Sequence, residues 1–274
     1  MISRRTYKLR LPSRTLVLGP RTLVMGVLNV TSDSFSDGGT WLDARTAVVR
    51  ALEMENQGAH LLDIGGESTR PGSQPVSAEE ECARIVPVLR ALRSLLRIPI
   101  SVDTRKAAVA EAAIDEGAEI VNDVSALRND PGMGALIRRR RLPVVLMHMR
   151  GSPGTMQRRP FARDALQDVV AGLRQAMARA RRAGIAKSQI VLDPGIGFGK
   201  SYAQNCELIA RLPQLAKLGC PLLLGASRKA FLGALLGSPN APAPAGGRIW
   251  GTAATVTAAI LAGAHIVRVH DVAE

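Results

Sequence analysis

The sequence predicts one α/β domain, residues 1–274, built as a (β/α)8 TIM barrel. Three observations lead there. Eight short apolar runs alternate with helix-like segments. The runs are apolar without strict polar alternation, as in strands covered on both faces. The length of 274 residues suits a barrel, which takes roughly 250. The runs lie at 23–28, 60–64, 98–102, 119–121, 143–147, 190–192, 221–224 and 265–269. Helical character fills 43–57, 78–96, 105–116, 131–140, 163–183, 202–217 and 250–263. Gly58, Gly117, Gly184 and Gly263 follow four of these segments, in the position of a left-handed helix cap. A doubly wound open sheet fits less well, because no Gly-x-Gly-x-x-Gly turn follows the first run. Residues 6–18, with Pro12 in the middle, predict a short N-terminal hairpin plugging the barrel's floor. Residues 237–247, rich in Pro, Gly and Ala, predict a flexible loop inside the domain. The chain stops at Glu274, just after the eighth run, so the expected barrel lacks its eighth helix.

Composition narrows the function classes. No run reaches the ~18 uncharged residues of a membrane helix, and no apolar stretch of about 7–15 residues follows the basic N-terminus as in a secretory signal. Cys82, Cys206 and Cys220 are widely spaced, which suits reduced cysteines in a cytoplasmic protein better than a zinc site or disulfide framework. Net charge is +13, but the basic residues are spread along the chain and aromatics make up only 3% of it. Stacking platforms for single strands are therefore scarce, and no nucleic-acid partner is expected. The charge reads as a solvated surface that also attracts a small anionic substrate.

The chemistry collects at the strand ends. In order they carry Asn29, Asp63, Asp103, Asn122, Met147 with His148, Asp193, then Ser227-Arg228-Lys229, and finally Arg268 with His270. A single Asn or Asp there reads as a polar cap. Eight in succession read as the lining of one mouth, where such barrels place their active sites. Arg268 and His270, two apart on a strand, point to one side, and with Arg70 and Asn29 could clamp a phosphate or diphosphate. Asp103, Asn122, Asp193 and Lys229 suit a flat heterocycle rich in N–H donors and bearing a carbonyl, such as an aminopyrimidinone.

Two loops complete the picture. Residues 31–39 are small and polar around Phe35; residues 67–72 contain Thr69-Arg70-Pro71. Gly195-Ile196-Gly197-Phe198-Gly199-Lys200 is a weak match to a phosphate loop. Its glycines read better as close backbone approach at the mouth, with Phe198 as a ligand-facing surface.

These segments together closely resemble the dihydropteroate synthase family. The resemblance rests on Met25 to Gly39, Asp63 to Gly72, Ser101-Val102-Asp103-Thr104, Asn122-Asp123-Val124, Asp193 to Lys200, Ser227-Arg228-Lys229 and Arg268-Val269-His270-Asp271-Val272. It runs in order from about residue 21 to 272, and departs at Ser32, where the family usually has Pro. It implies a transferase of folate biosynthesis. Such an enzyme joins 6-hydroxymethyl-7,8-dihydropterin diphosphate to 4-aminobenzoate, with diphosphate departing first.

By matching positions, the resemblance implies pterin binding by Asp103, Asn122, Met147, Asp193, Lys229 and Arg268. Lys229, Asp103, Asp193 and Arg268 would be catalytic. It implies Mg2+ on Asn29 and Asp37, and diphosphate on Asn29, Arg70, Arg268 and His270. Around 4-aminobenzoate it implies Phe35, Thr69, Pro71, Phe198, Ser227 and Lys229. A homodimer is implied as well, although the helix missing after the eighth run contributes to dimer contacts in the family. The rival readings are a pterin-binding methyltransferase barrel and a non-catalytic pterin-binding protein.

Overall fold

The computed structural model describes residues 4–31, 39–68, 73–151, 155–156, 163–238 and 240–274, and only the backbone of 39–43. Two short antiparallel strands, β1 (Tyr7–Arg10) and β2 (Thr15–Leu18), come first. Eight parallel strands follow: β3 (Leu23–Asn29), β4 (Leu61–Gly65), β5 (Ile100–Asp103), β6 (Ile120–Asp123), β7 (Val144–Met147), β8 (Ile190–Asp193), β9 (Leu223–Leu224) and β10 (Ile266–Val269). Their hydrogen-bonded order is β8-β7-β6-β5-β4-β3-β10-β9, and a parallel bridge from Leu192 to Leu222 completes the ring. The chain is a (β/α)8 barrel.

The helices are α1 (Gly39–Asn56), α2 (Ala78–Leu92), α3 (Ala107–Asp115), α4 (Pro131–Arg140), α5 (Ala165–Arg182), α6 (Tyr202–Ala210), α7 (Leu212–Ala216), α8 (Ala230–Leu236) and α9 (Ile249–Leu261). Side chains cap several starts: Ser77 accepts from the Glu80 amide, Asp164 from Gln167 and Ser201 from Gln204. Gly58, Gly117, Gly184 and Gly263 all have positive φ, the left-handed turn that frees the chain to enter the next strand.

Two expectations need correction. The single helix expected over 202–217 is split at Arg211, because Pro213, in the first turn of α7, has no amide for the preceding helix. The segment 230–236 was not expected to be helical; its run Ala-Phe-Leu-Gly-Ala-Leu-Leu has no 3.6-residue polar period, yet it forms α8. Residues 245–248 of the following loop form a 3-10 turn, and Arg248 donates to the Arg228 carbonyl, tying the loop to the end of strand β9. Among the described residues no helix follows β10.

The strands alternate where it matters. Leu61, Ile120, Val145, Val191, Leu223 and Ile266 point into the barrel and pack there against Leu9 and Leu18 of the hairpin. The hairpin is therefore the plug of the floor. Ser13 fixes its turn by donating through its amide and hydroxyl to Glu119. Fully burying each leucine is favourable by roughly 1.5–3 kcal/mol. The intervening Leu62, Val102, Val121, Val144, Leu192 and Val267 face the helices in the larger outer core. Because strand side chains repeat every second residue, the next inward positions are Asp63, Asn122, Met147, Asp193 and Arg268. An apolar floor thus stands beneath a polar layer.

Candidate active site

The polar layer is cross-linked through Arg268. Its Nε donates to Asp63 Oδ2 at 2.6 Å, and its Nη2 donates to Asp103 Oδ2 at 2.7 Å. Asn122 Nδ2 donates to the same Asp63 Oδ2 at 2.9 Å. Asp63 is wholly buried, whereas the Arg268 side chain retains 20% exposure and Asp103 12%. Burial pushes the Asp103 carboxyl up to about 7, against the pull of Arg268. Burial likewise raises Asp193 to about 6, although its Oδ1 accepts from the Gly195 amide at 2.7 Å. The Arg268 guanidinium would be weakened by burial, but Asp63 and Asp103 outweigh this and hold it firmly charged.

Beside this layer stands an apolar wall of Val124, Met147, Met149, Met156 and Phe198. Lys229 Nζ lies 4.0 Å from the centroid of the Phe198 ring, a cation–π contact that orients the lysine. Phe198 is only 8% exposed, so it is more buried than its glycine-rich surroundings suggest. The phosphate-loop pattern around it has a different purpose. Lys200 is buried and donates to the carbonyls of His148, Gly195 and Phe198, so its three donors are spent inside the protein. A Cβ on Gly195 would sit 2.0 Å from the His148 carbonyl oxygen, which is the close backbone approach expected at this turn.

Ser227 and His270 form the rim. Ser227 Oγ accepts from the His270 amide at 3.2 Å and lies 3.1 Å from His270 Nδ1. Burial, with the nearby Arg268 and Arg228 charges, lowers His270 to about 3 and so keeps its ring neutral. Arg268 is committed to two inner carboxylates, while His270 is turned to Ser227. Asn29 ends β3 in register with Gly65. Phe35, Asp37, Thr69, Arg70 and Pro71 lie outside the described residues. Among the described residues no group of three His, Cys, Asp or Glu side chains could hold a metal, and no helix is long and apolar enough to cross a membrane.

Asp63 stands among the polar strand ends, but its local sequence assigns it no role. Its signal was parity: Leu61 and Asp63 share a face, so a carboxylate pointing inward needs a cation. A second network went unnoticed. Glu67 accepts from Arg105 at 2.8 Å and from Lys106 at 2.9 Å, and Lys106 also reaches the buried Glu81 at 2.5 Å. Burial alone would raise Glu67, but the bonds from Arg105 and Lys106 prevail and lower it. This network anchors the chain immediately before residues 69–72. Only the folded structure brings these four residues together.

Residues 25–270 match the family of pterin binding enzymes. The chain is 47% identical to the dihydropteroate synthase of Synechocystis sp. over 254 residues, 93% of this chain and 86% of that one. It is 45% identical to the Escherichia coli dihydropteroate synthase over 92% of this chain and 87% of the other. Among solved structures, the Xanthomonas albilineans dihydropteroate synthase with 4-aminobenzoic acid superposes with a TM-score of 0.90 at 44% identity, covering 98% and 94% of the two chains. The same enzyme in complex with 7,8-dihydropteroate gives 0.84 at 40% identity, covering 97% and 93%. The barrel, the order of its motifs and these likenesses agree: the chain belongs to the dihydropteroate synthase family of pterin-binding enzymes.

Proposed function

We propose that this chain joins 6-hydroxymethyl-7,8-dihydropterin diphosphate to 4-aminobenzoate, forming 7,8-dihydropteroate and diphosphate. The observation that carries this reading is the inward layer of Asp103, Asn122, Asp193 and Arg268 above a sealed apolar floor. Its carboxylates suit the amino and ring N–H edge of a pterin, and Lys229 beside Phe198 suits a ring nitrogen or carbonyl. Met147 supplies an apolar contact for the ring face.

In this reading the bond between the methylene carbon and the bridging oxygen breaks first, and its electron pair leaves on diphosphate. The carboxylates beside the pterin stabilise the resulting cation. The aniline nitrogen then attacks the methylene carbon and releases its proton to solvent. Arg70 and His270, with Arg268, would hold the diphosphate. Phe35, Thr69, Pro71, Phe198, Ser227 and Lys229 would surround 4-aminobenzoate. Asn29 offers one neutral oxygen at the end of β3, which suits a hard cation held mainly by phosphate oxygens and water, with Asp37 as its second protein ligand. Mg2+ bound there would neutralise charge on the leaving group.

A homodimer belongs to the same reading, supported by Leu235, Leu236 and Trp250 exposed on α8 and α9. A reducing, cytoplasmic setting is supported by three free cysteines. The deciding experiment incubates the protein with pterin diphosphate, Mg2+ and 4-aminobenzoate and follows diphosphate release. Release that depends on the aniline is expected; its absence rejects the synthase reading.

A further inference from the structure

Outside the barrel mouth, between the ends of β6 and β7 and the helix α5, lies a cleft of about 260 Å³. Its charged and polar lining is Arg128, His148, Arg150, Asp168, Gln175 and Arg179. Three guanidinium groups thus face one carboxylate. Asp168 is 4.0 Å from Arg150 and 3.5 Å from His148 Nε2. The imidazole adds no counter-charge, since burial and the neighbouring cations keep it neutral.

Arg128 and Arg179 are fixed in place. Arg128 donates from Nε to the Ser125 carbonyl at 2.9 Å and from Nη2 to the Met149 carbonyl at 3.1 Å. Arg179 donates from Nε to the Ala126 carbonyl at 3.0 Å. Beside two of those carbonyls, Ala126 and Leu127 both adopt left-handed conformations, with φ of 52° and 62°. Such non-glycine residues cost on the order of 1–3 kcal/mol each and gather at ligand clamps. Here the buried Asp123 enforces them, accepting from the Ser125 amide and hydroxyl and from the Leu127 amide. The bonds that orient the guanidiniums use mainly their Nε atoms. Arg128 Nη1 and both Nη atoms of Arg179 make no hydrogen bond among the described residues.

We propose that this cleft binds the phosphate group of a small anion, clamped by Arg128, Arg150 and Arg179. Planar guanidinium forks match tetrahedral oxyanions, and several converging on one group suit phosphate better than a lone carboxylate. The site adjoins that of the proposed reaction through Met147, which lines the cleft as well as the barrel mouth, but its arginines gather towards α5, beside the His148 ring that faces Gly172 of that helix.

The test titrates the full chain with inorganic phosphate, and separately with ribose 5-phosphate, by calorimetry. Saturable binding to the wild type is expected. It should weaken on the order of tenfold, about 1.4 kcal/mol, in Arg179→Gln and again in Arg150→Gln. The second variant keeps the test sound if the first unfolds, because Arg150 donates no hydrogen bond to the described residues. Binding of phosphate alone makes this a free-ion site, and binding of both makes it a phosphomonoester site; either supports the proposal. Absence of saturable binding overturns it. So does binding that survives both variants but is lost in Arg268→Gln, which places the anion at the barrel mouth.

Discussion

Asp63 and Arg268 are joined by a 2.6 Å hydrogen bond in which one carboxylate oxygen also receives Asn122. Asp63 is wholly buried, and its other oxygen has no hydrogen-bond partner among the described residues. Burying two charges costs several kcal/mol each, and even a close pair often fails to recover that cost. Asp63 is therefore hard to explain as stabilisation alone. It fixes two groups of the polar layer from beneath, one on β10 and one on β6, at a single atom. In the proposed reaction Asp63 would thus act as a positioning residue for Arg268 and Asn122.

Asp63→Asn tests this role. The variant keeps the volume and one acceptor oxygen but removes the charge, so Arg268 has only Asp103 as a close counter-charge and Asn122 and Arg268 are left to share a neutral acceptor. Misplacing groups by about 1 Å can cost a factor of roughly 100, and a fall of that order in kcat/KM for the pterin substrate is expected. Breaking a buried pair should also lower stability by about 3–5 kcal/mol, measurable by urea unfolding. Wild-type kinetics in a destabilised protein would show that Asp63 serves the fold alone.

The pH profile follows from the same burial. Asp103 is raised to about 7 and Asp193 to about 6, and in the proposed reaction both must be ionised to accept pterin N–H donors. With decreasing pH, log kcat/KM should fall with a slope near one below about pH 7, steepening towards two below about pH 6. Stability moves the other way. A carboxyl raised in the folded state binds more protons there than in the unfolded chain. Its contribution is therefore present at low pH and lost as pH rises through the same window. Acid loss of activity without loss of fold identifies the site carboxylates as the cause, and Asp103→Asn should remove the upper limb.

Much of this was legible in the sequence because barrel strands are short and end in polar residues. The hairpin could be read from 6–18, the eight strands from their apolar runs, and Asp103, Asn122, Met147, Asp193, Lys229 and Arg268 from their places after those runs. Helix α8 could not be read, since an apolar segment of seven residues has no period to detect. Lys200 closes a glycine-rich motif that matches a phosphate loop only weakly, and nothing local shows that folding turns its ammonium inward onto three carbonyls. The link of Glu67 to Arg105, Lys106 and Glu81 joins distant positions and has no local signature.

Lys200→Met tests that inward ammonium. Methionine fills a similar volume but donates nothing, leaving the carbonyls of His148, Gly195 and Phe198 without their side-chain donor. The Gly195 carbonyl keeps the Phe198 amide, so two carbonyls are left; buried groups left unsatisfied cost about 1–3 kcal/mol each, so a loss of roughly 2 kcal/mol or more in urea unfolding is expected. If Lys200 instead bound substrate phosphate, the variant would keep its stability and raise only KM.

Gly172→Ala weighs two opposed effects on one helix. Gly172 lies within α5, where alanine is favoured over glycine by about 1 kcal/mol. However, a Cβ there would meet His148 Cδ2 at 2.4 Å and Nε2 at 2.9 Å. The ring is poorly placed to retreat, because it is buried and its backbone is bonded on both sides: the amide to Asp193 O and the carbonyl to Lys200 Nζ. Overpacking of a fixed core typically costs about 1–3 kcal/mol and should outweigh propensity, giving a net destabilisation on the order of 1 kcal/mol. The displaced His148 backbone should also disturb Asp193, lowering kcat/KM for the pterin substrate more than that for 4-aminobenzoate. A variant that gains stability, as helix propensity alone would dictate, would show that His148 yields freely and does not brace Asp193.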